Sequence, residues 1–247
     1  MAYRYDDDLE FLGSCTDKDL EILVNHLTKD EDGDARFTEE LTMNENYKKY
    51  YPQHSKYWRE IAAEIQCFGG NTFATMLRGG EGVVYKEVLC DVCDKLKVNY
   101  NENSSCEMIE ICLLQKVLID TLDKMSPEER ESLARELGMN NTSGITAQAL
   151  TGSFQALFKL GGFKSYQILV IVANAISKAL FGTGLQAATN AALTRVASIL
   201  AGPIGWIITG LWTAVDIAGP AYRITIPAVF AVATLRLKSK VNDEFNF

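Results

Sequence analysis

Twenty consecutive residues, VASILAGPIGWIITGLWTAV from Val196 to Val215, contain no charge. A helix that apolar must be sheltered by protein or by lipid. Its length matches a bilayer crossing, yet Gly202, Pro203, Gly205 and Gly210 interrupt it. Proline has no amide to donate and its fixed φ suits the first position of a helix. The expectation is a break at Gly202-Pro203, followed by a helix of about 14 residues, too short to span comfortably. Upstream, SYQILVIVANAISKALF is apolar nearly all round, with Asn174 and Lys178 as a narrow polar strip. GLQAATNAALTRVASIL sets Leu185, Ala188, Ala192, Val196 and Ile199 against Gln186, Asn190 and Thr194 at helical spacing. Downstream, Pro220 breaks the chain and Pro227 is expected to open a last helix. Its end carries Arg236, Lys238 and Lys240, where cations suit the helix dipole.

The remainder of the 247-residue chain differs in kind. The net charge of -8 is divided unevenly. Residues 151–247 hold eight Lys/Arg against Asp216, Asp243 and Glu244, a balance of +5, which leaves -13 for residues 1–150. An acidic half repels nucleic acid, so no DNA or RNA partner is expected, and halves of opposite sign attract each other. The start, MAYRYDDDLEF, has neither a basic nor an apolar run, which gives no sign of a secretory signal. All six cysteines fall before residue 113 and are expected as reduced thiols. The expected compartment is the cytoplasm, with association at a membrane as the alternative.

Short amphipathic helices fill the first half. In TDKDLEILVNHL, Thr16 and Asp19 form a capping-box-like pair before Leu20, Leu23, Val24 and Leu27. KYWREIAAEIQCF puts Trp58, Ile61, Ala62, Ile65 and Phe68 on one face, and Gly69-Gly70 stops it. VVYKEVLCDVCDKL and CEMIEICLLQKVLIDTL follow the same rule on either side of a polar loop. SPEERESLAREL has Ser126 as N-cap, Pro127 at the first helical position, Glu129 at N3 and Gly138 beyond its end. With few β signals, the fold class is all-α: a multi-helix bundle with an apolar, Gly/Pro-interrupted C-terminal region. Composition changes at GMNNTSG (residues 138–144). The expected organisation is an acidic domain at 1–140, a lead-in at 141–163, and an apolar helical region at 164–247 that packs on the first domain or on a membrane.

Few residues carry chemistry. DEDGDARFTEEL from Asp30 is acidic, but a calcium loop needs Gly at its sixth place and Glu at its twelfth, where Ala35 and Leu41 stand. It reads as an acidic turn. Cys90 and Cys93 are the only metal or redox candidates, spaced C-x2-C, but they sit in a helical pattern and Cys106 and Cys112 have the wrong spacing for a zinc site. His26 and His54 lie far apart in sequence, and GGEGVVYK lacks the phosphate-loop spacing. No catalytic residue, metal or cofactor is assigned. Asp216 and Arg223 are the sole charges between Val196 and Leu235. A salt bridge across the Pro220 break would shelter both; the alternative is two helix ends in water.

YDDDLEFLGSCTDKDLEILVNHLT, WREIAAEIQCFGGNTFATMLRGGEGVVYKEVLCDV and AYRITIPAVFAVATLR together resemble the YaaW family of uncharacterised bacterial proteins, in the same order over most of the chain. The central block is similar to a domain grouped with mitochondrial ubiquinol–cytochrome c assembly chaperones. That resemblance implies a helical module holding a partner protein. It directs attention to Trp58, Phe68, Gly69 and Gly70, and to the terminal motif around Tyr222, Arg223 and Pro227.

The reading adopted is a non-enzymatic partner-binding or assembly module whose apolar C-terminal helices form core. The alternative is a membrane-active protein, in which glycines at 182, 184, 202, 205 and 210 let helices approach closely in lipid under control of the acidic half. An unrecognised enzyme is the third and weakest reading.

Overall fold

A computed structural model describes residues 2–30, 34–36, 40–69, 82–182, 191–218 and 222–245. The fold is all-α. Its α-helices are α1 (Asp17–Thr28), α2 (Glu45–Tyr50), α3 (Trp58–Gly69), α4 (Tyr85–Lys95), α5 (Cys106–Lys124), α6 (Pro127–Glu136), α7 (Ala147–Leu160), α8 (Phe163–Phe181), α9 (Ala191–Ala218) and α10 (Tyr222–Phe245). An isolated antiparallel bridge joins Lys29 and Ala35.

The caps follow the sequence. The Thr16 side chain accepts the Asp19 amide at the start of α1. Ser126 and Glu129 form a reciprocal capping box with Pro127 at the start of α6, and Gly138 takes φ +74° just past its end. The two prolines behave differently from expectation. Pro203 lies inside α9, which runs unbroken from residue 191 to 218, and Pro227 is the sixth residue of α10 rather than its first. Each removes one helical hydrogen bond without ending its helix. Pro220 and the segment 183–190 lie outside the described residues.

The chain forms two compact units, residues 1–110 with 215–236, and residues 111–214 with 237–247. In the first, α3 packs against α1 and α4. Its core contains Leu20, Leu23 and Leu27 of α1, Ile61 and Ile65 of α3, and Val88, Leu89 and Val92 of α4. Every residue of α10 from Ile224 to Leu235 is buried, so this helix is enclosed on all sides as its even apolarity requires. In the second unit, α7 packs against α6 and α8, and Leu118, Leu133, Leu150, Phe154, Ile168, Val172 and Ile176 are buried. Each such side chain contributes about 1.5–3 kcal/mol.

Candidate functional site

The most elaborate polar structure lies inside the first unit. Arg236 on α10 donates through Nε to Glu110 Oε2 on α5 at 2.8 Å, with side chains only 13% and 3% exposed. The Tyr85 hydroxyl donates to Glu110 Oε1 at 2.8 Å. Arg236 Nη2 donates to the Asp8 carbonyl at 2.5 Å, and the guanidinium lies 4.4 Å over the Phe11 ring. Asp6 accepts the Tyr85 amide at 2.6 Å, the Asp8 amide at 3.1 Å and Gln66 Nε2 at 3.3 Å. Gln66 also clasps the Arg4 backbone, donating to its carbonyl at 2.8 Å and accepting its amide at 3.1 Å.

There is a local reason for this convergence. Tyr85 is the first residue of α4, and Val84 before it offers no side-chain cap. The Asp6 carboxylate supplies that cap from 79 positions away, where an anion also suits the helix dipole. Burial pushes the Glu110 carboxyl above its ordinary range, although Arg236 and the Tyr85 hydroxyl pull it down. Burial raises the Tyr85 phenol as well. Both carboxylate oxygens of Glu110 are occupied and the group is enclosed, so the network ties the N-terminal segment to α3, α4, α5 and α10. It is a lock, not a reactive centre.

The residues singled out from sequence fall in separate places. Trp58 opens α3, meeting Tyr3 edge-on at 5.7 Å and Arg59 at 4.6 Å. A Cβ at Gly13 would come within 2.9 Å of its Nε1, so glycine there admits the indole. Phe68 is half-buried, ten residues along the same helix and thus about 15 Å from Trp58. Gly69 ends α3, and Gly70 lies outside the described residues. Tyr222 opens α10 with the Lys95 ammonium 5.4 Å over its ring. Arg223 is exposed and Pro227 buried. The Asp216 side chain, and with it the choice between an Asp216–Arg223 bridge and two helix ends in water, lies outside the described residues.

Sequence reasoning passed over His26, whose Nε2 lies 2.9 Å from the Ile224 carbonyl in the first turn of α10. Burial takes this imidazole down to about 4, with nearby Arg36 acting the same way and the Ile224 carbonyl opposing them. The ring is neutral and donates. Cys90 is half-buried and Cys93 buried on α4. Burial raises the Cys90 thiol and pushes Cys67 up to about 11, the opposite of what a nucleophilic or ligating thiolate needs. Among the described residues no three His, Cys, Asp or Glu side chains are grouped to hold a metal ion.

The second unit carries a surface of another kind. Helix α9 buries one stripe, Val196, Leu200, Pro203, Ile204 and Ile208. Its other side leaves Ala201, Gly202, Thr209 and Gly210 exposed, and Trp206 is 77% exposed. A Cβ built on Gly202, Gly205 or Gly210 meets nothing within 4 Å. Near its start, Arg195 pairs with Glu136 at 3.6 Å, but Arg195 is 71% exposed and such a pair adds little. This is an open helix face of small residues around one tryptophan, with room for close approach.

Comparison with known proteins gives a consistent answer. Residues 3–37 match the family model described as Domain of unknown function (DUF3944), and residues 53–230 match that described as Ubiquinol-cytochrome C chaperone. A UPF0174 protein of Helicobacter pylori strain J99 is 52% identical over 244 residues, 99% of this chain and 96% of that protein. The UPF0174 protein YaaW of Escherichia coli K12 is 31% identical over 240 residues, 96% of each chain. No solved structure matches.

Proposed function

The chain belongs to the UPF0174 family and, through residues 53–230, to the ubiquinol–cytochrome c chaperone family, and from that premise we propose that it is a non-catalytic module that holds a protein partner during assembly. The observation that carries this reading is the outer face of α9. Trp206 is a large anchor left in water, and the open glycines beside it would let an apolar partner helix lie close. The network around Glu110 supports the same reading, because it spends the buried charges on rigidity.

The test places a photo-crosslinking residue at position 206 in cells, with exposed Lys56 as the control position. One discrete adduct from position 206 alone is expected. The partner so identified should fall in abundance when the chain is deleted. It should return with the wild type and not with Trp206→Asp. An adduct common to both positions, or a partner whose abundance ignores the deletion, removes the proposal.

A second reading is supported by one observation. Residues Thr194–Leu211 form a helical window of mean hydropathy 1.3 of which 28% is buried, long and apolar enough to cross a membrane by length and composition. If α9 enters lipid, the chain should resist carbonate extraction from membranes. If it only holds a protein, carbonate should release it.

A further inference from the structure

The turn between α7 and α8, Lys159–Leu160–Gly161–Gly162–Phe163–Lys164, is built to hold one leucine in water. Leu160, the last residue of α7, is 85% exposed. Gly161 and Gly162 take φ +68° and +82° with ψ -160° and -177°, a region essentially closed to residues with a side chain. The Gly161 amide donates to the Leu157 and Phe158 carbonyls at 3.1 and 3.2 Å. The Gly162 carbonyl accepts the Ser165 amide at 3.1 Å and the Ser165 hydroxyl at 2.7 Å. Leu160 is thus presented by hydrogen-bonded backbone at a fixed turn.

Its surroundings state what it fits. Lys159 and Lys164 flank it and both are exposed. They belong to a wider segment, residues 147–214, that contains Lys159, Lys164, Lys178 and Arg195 and no Asp or Glu. The adjoining Phe163 is half-buried. A protein groove would be met by a row of anchors at helical spacing. One projecting leucine between two ammonium groups suits a flat surface that is apolar beneath and anionic on top.

We propose that this tip docks on an anionic phospholipid bilayer, with Leu160 entering the acyl boundary and Lys159 and Lys164 lying against the phosphate headgroups. The docking is peripheral and does not draw on α9.

The experiment is co-sedimentation of the purified full chain with phosphatidylcholine vesicles, with and without phosphatidylglycerol, at low and at physiological salt. Binding is expected only with phosphatidylglycerol and should weaken with salt. Leu160→Ala should weaken it about tenfold. The pair Lys159→Gln and Lys164→Gln should weaken it about thirtyfold, since each lysine near such a surface adds about fivefold. All three side chains are exposed, so circular dichroism should be unchanged in these variants. Trp206→Asp should leave vesicle binding intact while failing to restore the partner's abundance in cells, which separates this proposal from the reading of α9. No binding to phosphatidylglycerol vesicles, equal binding to neutral ones, or binding that survives the tip variants and is lost with Trp206→Asp would each overturn it.

Discussion

Replacing Arg236 by Met tests whether the buried network is the lock of the first unit. The guanidinium gives Glu110 a 2.8 Å charged hydrogen bond and gives the Asp8 carbonyl another at 2.5 Å. Methionine keeps much of the side-chain stem but leaves a 3% exposed carboxyl with the Tyr85 hydroxyl alone. Removing one partner of a buried pair costs about 3–5 kcal/mol, because the other charge stays desolvated. For a chain of this size that lowers Tm by about 6–20 °C. The loss should depend on pH. Burial already holds Glu110 above its ordinary range, and without the cation the folded value rises further. A carboxyl whose folded pKa exceeds its unfolded value favours the fold below the unfolded pKa, and that contribution disappears as pH rises through the folded pKa. The deficit of the variant, read as the difference from wild type in urea unfolding, should therefore be larger at about pH 8 than at about pH 5. Glu110→Met combined with Arg236→Met should recover most of the loss, since neither ion is then stranded. A cost below about 1 kcal/mol with no pH dependence would refute the argument.

Other consequences are simpler to read. His26 has a folded pKa lowered from 6.5 to about 4, so its contribution is present above the unfolded value and is lost as pH falls through that window. The full shift corresponds to about 3 kcal/mol, and the partial exposure of the residue reduces it to about 1–2 kcal/mol. His26→Gln should flatten the acid limb of stability relative to wild type; parallel limbs would contradict the assignment. Gly82→Ala should unfold the chain or cost at least about 3 kcal/mol, because its Cβ would come within 2.3 Å of the Gln66 backbone; a neutral thermal melt would be inconsistent with that contact. Ser126→Ala should cost about 1 kcal/mol in urea unfolding through loss of its capping box, and no loss would mean that Pro127 alone fixes the start of α6.

What could be read from the sequence was local. Helix α6 announces itself because Ser126, Pro127 and Glu129 lie within four positions and their bonds are short-range. Helices α1, α3 and α4 declare their buried faces by spacing. The lock could not be read, because each of its bonds joins distant segments. Asp6 stands in an acidic run, YDDDLEF, where Asp7 is exposed while Asp6 is buried. Nothing local distinguishes a solvated aspartate from one that caps a helix 79 positions later. The same holds for Gly82, which nothing in GGEGVVYK sets apart from Gly79 and Gly80 but which sits where the Val83 amide meets the Gln66 carbonyl at 3.1 Å. Arg236 reads as a helix-end cation; its real partner is 126 positions away.

The prolines show how tertiary burial overrides local chemistry. A proline within a helix costs about 3 kcal/mol or more, which is why a break at Pro203 is the local expectation. Ending the helix there would disturb a stripe formed by Val196, Leu200, Ile204 and Ile208, each at most 2% exposed. At about 1.5–3 kcal/mol apiece, keeping those four in register outweighs one missing hydrogen bond, and α9 continues. The same balance explains Pro227, set in a helix buried from Ile224 to Leu235. Continuity has a consequence for function. An α9 broken at Pro203 could fold its second half away, whereas the unbroken helix holds Trp206 and the glycines around it on one exposed face of the second unit. The feature that looked from sequence like a device for ending a helix is the one that buries Pro203 beneath that face.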